Sequence, residues 1–234
     1  MSSLRRKKVC VLIAAYNEAP RIGTTIAALL ARPEIDEVIV VDDGSSDGTA
    51  QLARSAGATQ VLTVPNAGKG AALTAAYAAA KDRAGVFLLL DADLGASAGE
   101  AIKLLPLIHS GKADMTVGLL PPDPAFAETG QSGGRGFVVR LARQGILRCT
   151  GETFTQPLSG QRALRREVLE ALGGTFASGF GVEVDLTIRT LQAGFRVREV
   201  ETQFRHHVTG GDWASVRHRA RQFRDVAQAV LSNR

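Results

Sequence analysis

Two strand-forming runs in this chain end in closely spaced carboxylates. Val86-Phe87-Leu88-Leu89-Leu90 leads into Asp91-Ala92-Asp93, and Val38-Ile39-Val40-Val41 leads into Asp42-Asp43-Gly44-Ser45-Ser46-Asp47-Gly48-Thr49. A short apolar run without helical period reads as a strand covered on both faces. Open α/β sheets bind their ligands outside the carboxyl ends of such strands. Asp-x-Asp at that place offers hard oxygen ligands, which suit Mg²⁺ or Mn²⁺ carrying a substrate diphosphate. An isolated Asp-x-Asp is more often a solvated strand end with ordinary turn acids. The same ending on an earlier strand tips the reading toward a site. Lys69 opens a predicted helix behind Gly68, and a helix N-terminus plus an ammonium is a ready anion site. It is not a Walker loop, because the Gly-x-x-x-x-Gly-Lys-Ser/Thr spacing is missing. Farther on, Glu183 and Asp185 lie two apart on a predicted helix, so they cannot point the same way. Either fits a general base, and either fits a cap or an ion-pair partner. A phosphate acceptor, already ionised at neutral pH, would need no base. Arg135, Arg140 and Arg162 are candidate anion contacts whose simpler reading is a solvated surface.

These residues need a scaffold, and the chain alternates to supply one. Strands are expected over Lys8 to Ala14, Asp36 to Val41, Gln60 to Val64, Gly85 to Leu90 and Ala113 to Val117. Helices are expected between them over Pro20 to Ala31, from Ser46 or Asp47 to Ala56, Gly68 to Lys81 and Ser97 to Ser110. Such alternation argues a parallel α/β sheet in three layers. The pattern breaks between Gly118 and Gly136, where prolines and a glycine-rich stretch form a long irregular segment of the kind that is usually functional or disordered. Arg135 to Arg148 then reads as helix, Glu152 to Arg162 as irregular, Phe180 to Leu191 as helix and Phe195 to Phe204 as a late strand. Asp212 to Leu231 reads as a closing helix. It carries Trp213, Val216, Ala220, Phe223, Val226 and Val230 at helical spacing, with Arg217, Arg219, Arg221 and Arg224 elsewhere. The plain expectation is a core-packing helix with a solvated basic face, and the sharper one an interfacial helix on anionic lipid.

The 234 residues, 45% hydrophobic and 22% charged, suit one globular domain rather than a disordered chain. The expected organisation is a single domain over residues 1–234, with a first half at 1–118 and a second half at 119–234 that includes the closing helix. A net charge of +5 and a pI near 9.6 fit an anionic substrate or a membrane surface. Aromatic residues make up only 5% and no basic-aromatic groove is visible, which argues against nucleic acid. Cys10 and Cys149, the only cysteines, make no disulfide framework, so a reducing cytoplasm is the simplest setting. The basic start and the apolar run Val9 to Ala15 superficially suggest a signal peptide, but the run is too short and Tyr16-Asn17-Glu18 replaces a cleavage site. No run approaches a membrane span, so membrane contact is expected to be peripheral at most, at the inner face.

Taken in order, four segments resemble the GT-A glycosyltransferases of family 2. Ala14-Ala15-Tyr16-Asn17-Glu18 looks like that family's Pro-x-x-Asn-Glu, with Ala14 in the place of proline. Val41-Asp42-Asp43-Gly44-Ser45-Ser46-Asp47-Gly48-Thr49, Asn66-Ala67-Gly68-Lys69-Gly70 and Asp91-Ala92-Asp93 look like its next three motifs. In the second half, Pro157-Leu158-Ser159-Gly160-Gln161-Arg162 and Gly179-Phe180-Gly181-Val182-Glu183-Val184 are similar to segments of polyprenyl-phosphate sugar synthases and of glucosyl-3-phosphoglycerate synthases. Phe204-Arg205-His206-His207 resembles a histidine-containing segment of the latter.

The resemblance implies a GT-A fold, with a mostly parallel central sheet flanked by helices in three layers. It implies a hexosyltransferase that uses a nucleotide sugar, UDP-glucose first, and a divalent cation, Mg²⁺ or Mn²⁺. Ala14, Tyr16, Glu18, Asp43 and Ser45 would then hold the nucleotide, the Asp43 carboxylate accepting the uracil imide N–H. Asp42 is expected instead to cap the Gly-Ser turn. Lys69 would contact the donor, and Asp91 and Ala92 would face ribose and sugar. Asp93 would ligate the metal, completed by His206, or by His207 if the register slips. The implied acceptor is anionic, a phosphorylated metabolite such as phosphoglycerate or a polyprenyl phosphate, and a homodimer is compatible. The rival expectation is a catalytically silent nucleotide-sugar-binding module, which donor hydrolysis in the presence of metal would exclude.

Overall fold

A computed structural model describes residues 7–121, 135–205 and 224–233. Seven strands form one sheet: β1 (Val9–Ala15), β2 (Glu37–Asp42), β3 (Gln60–Thr63), β4 (Val86–Asp91), β5 (Met115–Leu119), β6 (Arg162–Arg165) and β7 (Val197–Glu201). Their order across the sheet is β3-β2-β1-β4-β6-β5-β7. All run parallel except β6, which is antiparallel to both β4 and β5.

Strand residues alternate between two cores, as the two-residue period requires. Val9, Val11, Ile13, Val38, Val40, Leu88 and Leu90 face one side. There they meet α1 (Ala19–Leu30), α2 (Thr49–Ser55), a 3-10 helix (Gly95–Leu104) and α4 (Leu105–His109). Cys10, Leu12, Ile39, Val41, Phe87 and Leu89 face the other. That side is covered by α3 (Lys69–Ala80), α5 (Arg135–Thr150), α6 (Arg166–Ala171), α7 (Val182–Gln192) and a last helix, α8, over 224–232. The result is the expected three layers. Val226 and Val230 of α8 are buried in the core, in keeping with a packing helix, and Arg224 is exposed. Trp213, Val216, Ala220, Phe223, Arg217, Arg219 and Arg221 lie outside the described residues. Among the described residues no helix is long and apolar enough to cross a membrane. Cys10 and Cys149 are both free thiols, and burial pushes the Cys10 thiol up to about 12.

Three local expectations are corrected. Ser97 to Ser110 is not one α-helix: the 3-10 helix runs to Leu104, and a separate short α-helix begins at Leu105 with Pro106 in its first turn. Leu104 and Leu105 keep helical dihedrals, and it is the missing backbone donor of Pro106 that fits only the first turn of a new helix. Helix α2 begins at Thr49 with Gly48 at its cap, not at Ser46 or Asp47. The Asp47 carboxylate still serves that end, accepting from the Thr49 N–H at 3.1 Å. Finally, the irregular stretch ending at Arg162 passes into β6. Arg-Ala-Leu-Arg has no apolar run, and its first arginine is only 1% exposed, so neither period nor burial preference announces a strand.

At the sheet edge away from the strand ends just described, Asp114 staples three strands. It accepts from Arg165 Nη1 (2.9 Å), the Arg196 backbone N–H (2.9 Å) and Arg196 Nε (3.0 Å). Burial alone would raise this carboxyl, but the hydrogen bonds from Arg196 and Arg165 outweigh it and hold it at about 2, against an ordinary 3.8. The folded-state value is depressed, so the stabilisation is fully present above about pH 4 and is lost as pH falls through about 2. It amounts to roughly 2 kcal/mol. Acid titration followed by circular dichroism should show Asp114→Asn destabilised at neutral pH, with the gap to wild type closing below pH 3. An unchanged gap would contradict this account.

Candidate active site

The carboxyl ends of β1, β2 and β4 meet the start of α3 at one edge of the sheet. Register places Ala14 between Val41 and Asp91, so the motifs of the first half converge by strand pairing alone. An open cleft of about 600 Å³ lies there. Tyr16, Asp43, Lys69, Asp91 and Glu183 line it, together with Asn66, Gly160 and Val138 of α5.

The first two motifs brace each other. Asn17 adopts φ 54°, the only positive φ outside glycine among the described residues. Asparagine tolerates that left-handed geometry. Its N–H donates to Ser45 Oγ (2.9 Å) and its Oδ1 accepts from the Ser46 N–H (3.0 Å). The Glu18 N–H donates to Thr49 Oγ1 (2.9 Å), and the Ala19 N–H to Asp47 (3.1 Å). This bracing turns Tyr16 outward, where it is 53% exposed and free to stack on a flat ligand. Asp42 accepts from the Ser45 N–H (3.2 Å), the capping role expected of it. Asp43 is buried, and its two oxygens accept from the Ala67 and Gly68 N–H groups at 2.8 Å each. It therefore fixes the turn that presents Lys69, and each oxygen retains capacity for one further donor.

Lys69, half-buried at the first turn of α3, reaches both halves of the chain. Its Nζ donates to Asp91 Oδ1 at 2.6 Å and to Glu183 Oε1 at 2.8 Å. Burial pulls the ammonium down, but the Asp91 and Glu183 carboxylates outweigh it and raise its pKa above the ordinary lysine value. Gly160 lies directly against this pair: a Cβ there would stand 2.8 Å from Lys69 Nζ and from Asp91 Oδ2. On the other side of α3, Gly70 lets the Ala177 carbonyl approach within 1.8 Å of where its own Cβ would be. That contact seats the loop before α7 on α3, and so brings Glu183 to Lys69.

Ala14, Glu18, Ser45, Ala92 and Asp93 flank the cleft rather than line it. Burial raises the Glu18 carboxyl, Arg21 opposes the rise, and the charges of Asp93, Asp47 and Asp91 add to it. The Ala92 carbonyl accepts from Thr25 Oγ1 (2.8 Å), which in turn accepts from the Gly95 N–H (2.9 Å). This buried threonine, to which no role was given from sequence, fixes the turn that carries Asp93.

Of the two helix acids, only Glu183 reaches the cleft. Asp185 faces away, bound to Asn233 Nδ2 (2.8 Å) and Arg189 (3.4 Å), because residues two apart on a helix diverge. It is a packing residue, and the expectation of a catalytic Asp185 is corrected. Arg162 is likewise no anion contact. It is the largest fully buried side chain, donating to Ser159 O (2.9 Å), Thr187 Oγ1 (2.8 Å) and Pro157 O (3.2 Å). Burial brings its guanidinium down to about 10. Arg140 is exposed on α5. The Arg135 side chain, His206 and His207 lie outside the described residues.

The model of the family described as glycosyl transferase family 2 matches residues 10–173. Glycosyltransferase AglJ of Haloferax volcanii is 33% identical over 214 residues, which cover 87% of this chain and 65% of that protein. The polyprenol monophosphomannose synthase of Mycolicibacterium smegmatis is 32% identical over 228 residues, covering 87% of this chain and 80% of that protein. The chain thus spans just under two thirds of the first of these relatives and four fifths of the second. Among solved structures, glucosyl-3-phosphoglycerate synthase from Mycobacterium tuberculosis superposes with a TM-score of 0.79 at 27% identity, covering 97% of this chain and 78% of that one. That structure holds Mn²⁺, uridine diphosphate and phosphoglyceric acid.

Proposed function

The chain belongs to glycosyl transferase family 2 and is a glycosyltransferase, and from that premise we propose that it moves glucose from UDP to a hydroxyl of a small anionic acceptor of the phosphoglycerate class. The observation that carries this reading is the Asp91–Lys69–Glu183 array, in which one ammonium holds two carboxylates against an open cleft. One carboxylate comes from the nucleotide-binding half, residues 1–118, and the other from the acceptor half, residues 119–234. A hydroxyl nucleophile needs a proton acceptor, and Glu183 supplies one where the two halves meet. The similar synthase crystallised with uridine diphosphate and phosphoglyceric acid supports both the donor and the acceptor class.

Each chain residue then has a chemical task. Tyr16 stacks on the base and Asp43 accepts its imide N–H. Lys69, at a helix N-terminus, offers positive charge to the departing diphosphate while holding Asp91 and Glu183 by hydrogen bonds. Asp91 accepts hydrogen bonds from the ribose and sugar hydroxyls. Asp93 suits a divalent cation, Mg²⁺ or Mn²⁺, as both occur in structures of the similar synthase. Burial is the main cause that raises the Glu18 carboxyl, with the charges of Asp93, Asp47 and Asp91 adding to it. Among the described residues no three His, Cys, Asp or Glu side chains gather into a metal site, so a cation here would draw on the diphosphate and on His206 besides Asp93. Asp93 would hold it, with His206 as the expected further ligand, and the cation would supply Lewis-acid stabilisation of the leaving diphosphate.

Asp93→Asn tests the reading. It is expected to remove Mn²⁺-dependent hydrolysis of UDP-glucose and transfer to phosphoglycerate, with the thermal midpoint little changed. Full Mn²⁺-dependent turnover in the variant would sink the metal assignment. A wild type that binds UDP-glucose without hydrolysing or transferring it would point to a silent binding module instead.

A further inference from the structure

Gln161 is fully buried, lies immediately before β6, and takes no part in the chemistry described so far. Its amide meets Asp91 twice. Nε2 donates to Asp91 Oδ2 at 2.6 Å, and Oε1 accepts from the Asp91 backbone N–H at 3.1 Å. The two bonds require opposite ends of the amide, so side chain and backbone of one residue together dictate which way Gln161 faces. With Lys69 on Oδ1 and Gln161 on Oδ2, the plane of the Asp91 carboxylate is set from both sides.

The loop that carries Gln161 is itself latched. The Gly118 N–H donates to Gln161 O (2.8 Å), and Ser159 Oγ donates to Gly118 O (2.6 Å). The buried Arg162 guanidinium gathers the Ser159 and Pro157 carbonyls behind it. The amide is thus anchored to β5 on one side and to its own loop on the other.

We propose that Gln161 is a positioning residue for the reaction, holding the Asp91 carboxylate in the one orientation that serves the donor. The proposal rests on the reading of Asp91 given above. Held this way, the carboxylate reaches its working geometry before any ligand arrives, so no reorientation is needed during the reaction. A residue that merely filled buried space would act on stability alone.

The test is a double-mutant cycle read by Mn²⁺-dependent UDP-glucose hydrolysis, with a crystal structure of Gln161→Met. Methionine keeps the volume and removes both amide contacts. Gln161→Met should lower kcat by about 10- to 100-fold, the order expected of a misplaced reacting group. Asp91→Asn should lower it at least as far, and the double variant should be no slower than Asp91→Asn alone, since Gln161 acts through Asp91. In the crystal the variant's Asp91 carboxylate should leave its place beside Lys69 Nζ. Gln161→Asn, which keeps an amide but is too short to make both bonds, gives the same reading if the methionine variant does not fold. Losses that multiply in the double variant would overturn the proposal, as would wild-type kcat in Gln161→Met or an Asp91 carboxylate unmoved in its crystal. Full hydrolysis by Asp91→Asn would instead overturn the role given to Asp91, and the crystal structure would still decide whether Gln161 fixes its orientation.

Discussion

Glu183→Gln is expected to turn over about 10²–10⁴-fold more slowly than wild type, the range associated with removal of a positioned proton acceptor. The carboxylate sits in the first turn of α7, largely shielded, 2.8 Å from Lys69 Nζ. Glutamine preserves its shape and can still accept a hydrogen bond from the ammonium, but it takes no proton from an acceptor hydroxyl. Initial rates with UDP-glucose, Mn²⁺ and phosphoglycerate measure the loss. Calorimetry should find donor affinity nearly unchanged, because the Tyr16, Asp43 and Asp91 side of the cleft is untouched. A variant with near wild-type turnover would remove the base assignment.

Gly160→Ala is expected to lower turnover by about 10²-fold, the penalty associated with displacing reacting groups by roughly 1 Å. The added methyl would lie 2.8 Å from Lys69 Nζ, 2.8 Å from Asp91 Oδ2 and 2.9 Å from Asp91 Oδ1. Those distances are shorter than any carbon can hold against such atoms, so the ion pair must open. The Gly160 backbone needs no left-handed geometry, and the atoms displaced are side-chain ends. The thermal midpoint should therefore move far less than the rate. A crystal structure of the variant that keeps Lys69 and Asp91 at 2.6 Å, or an unchanged rate, would contradict this prediction.

The donor half of the site was legible because its signals are local. Apolar runs that end in carboxylates give both the strand and the position of its last residue, and strand pairing then gathers Tyr16, Asp43 and Asp91 without help from distant sequence. Locality says less about Ser45, whose place in the Asp-Asp-Gly-Ser motif suggests a ligand contact but not that its hydroxyl oxygen also accepts from the Asn17 N–H and joins two loops. Motif residues are thus divided between those that face the cleft and those that hold the facing ones in place, and composition does not separate the two classes. The helix period did separate Glu183 from Asp185, but only the packing of α8 shows which one turns inward, through the Asn233–Asp185 bond. Gln161 and Thr25 were illegible for another reason. A glutamine before a four-residue strand and a threonine in an amphipathic helix carry no periodic or charge signal, and their value lies wholly in partners seventy and sixty-seven residues away.

The reversed direction of β6 has a consequence for how the site is held. β4 arrives at the cleft at its end, and β6, running the other way, leaves from the cleft at its start. The contact between Asp91 and Gln161 therefore closes a loop in the chain at a fixed point of the sheet, set by the pairing of Leu89 with Arg162. Whatever lies between the two contact points enters and leaves through neighbouring strands. That segment, residues 92–160, holds the 3-10 helix, α4, β5 and α5, and β5 itself pairs with β6 and β7. The pairing of β4 with β6 holds both ends of this segment, so the Asp91–Gln161 contact is set by the sheet rather than by nearness along the chain.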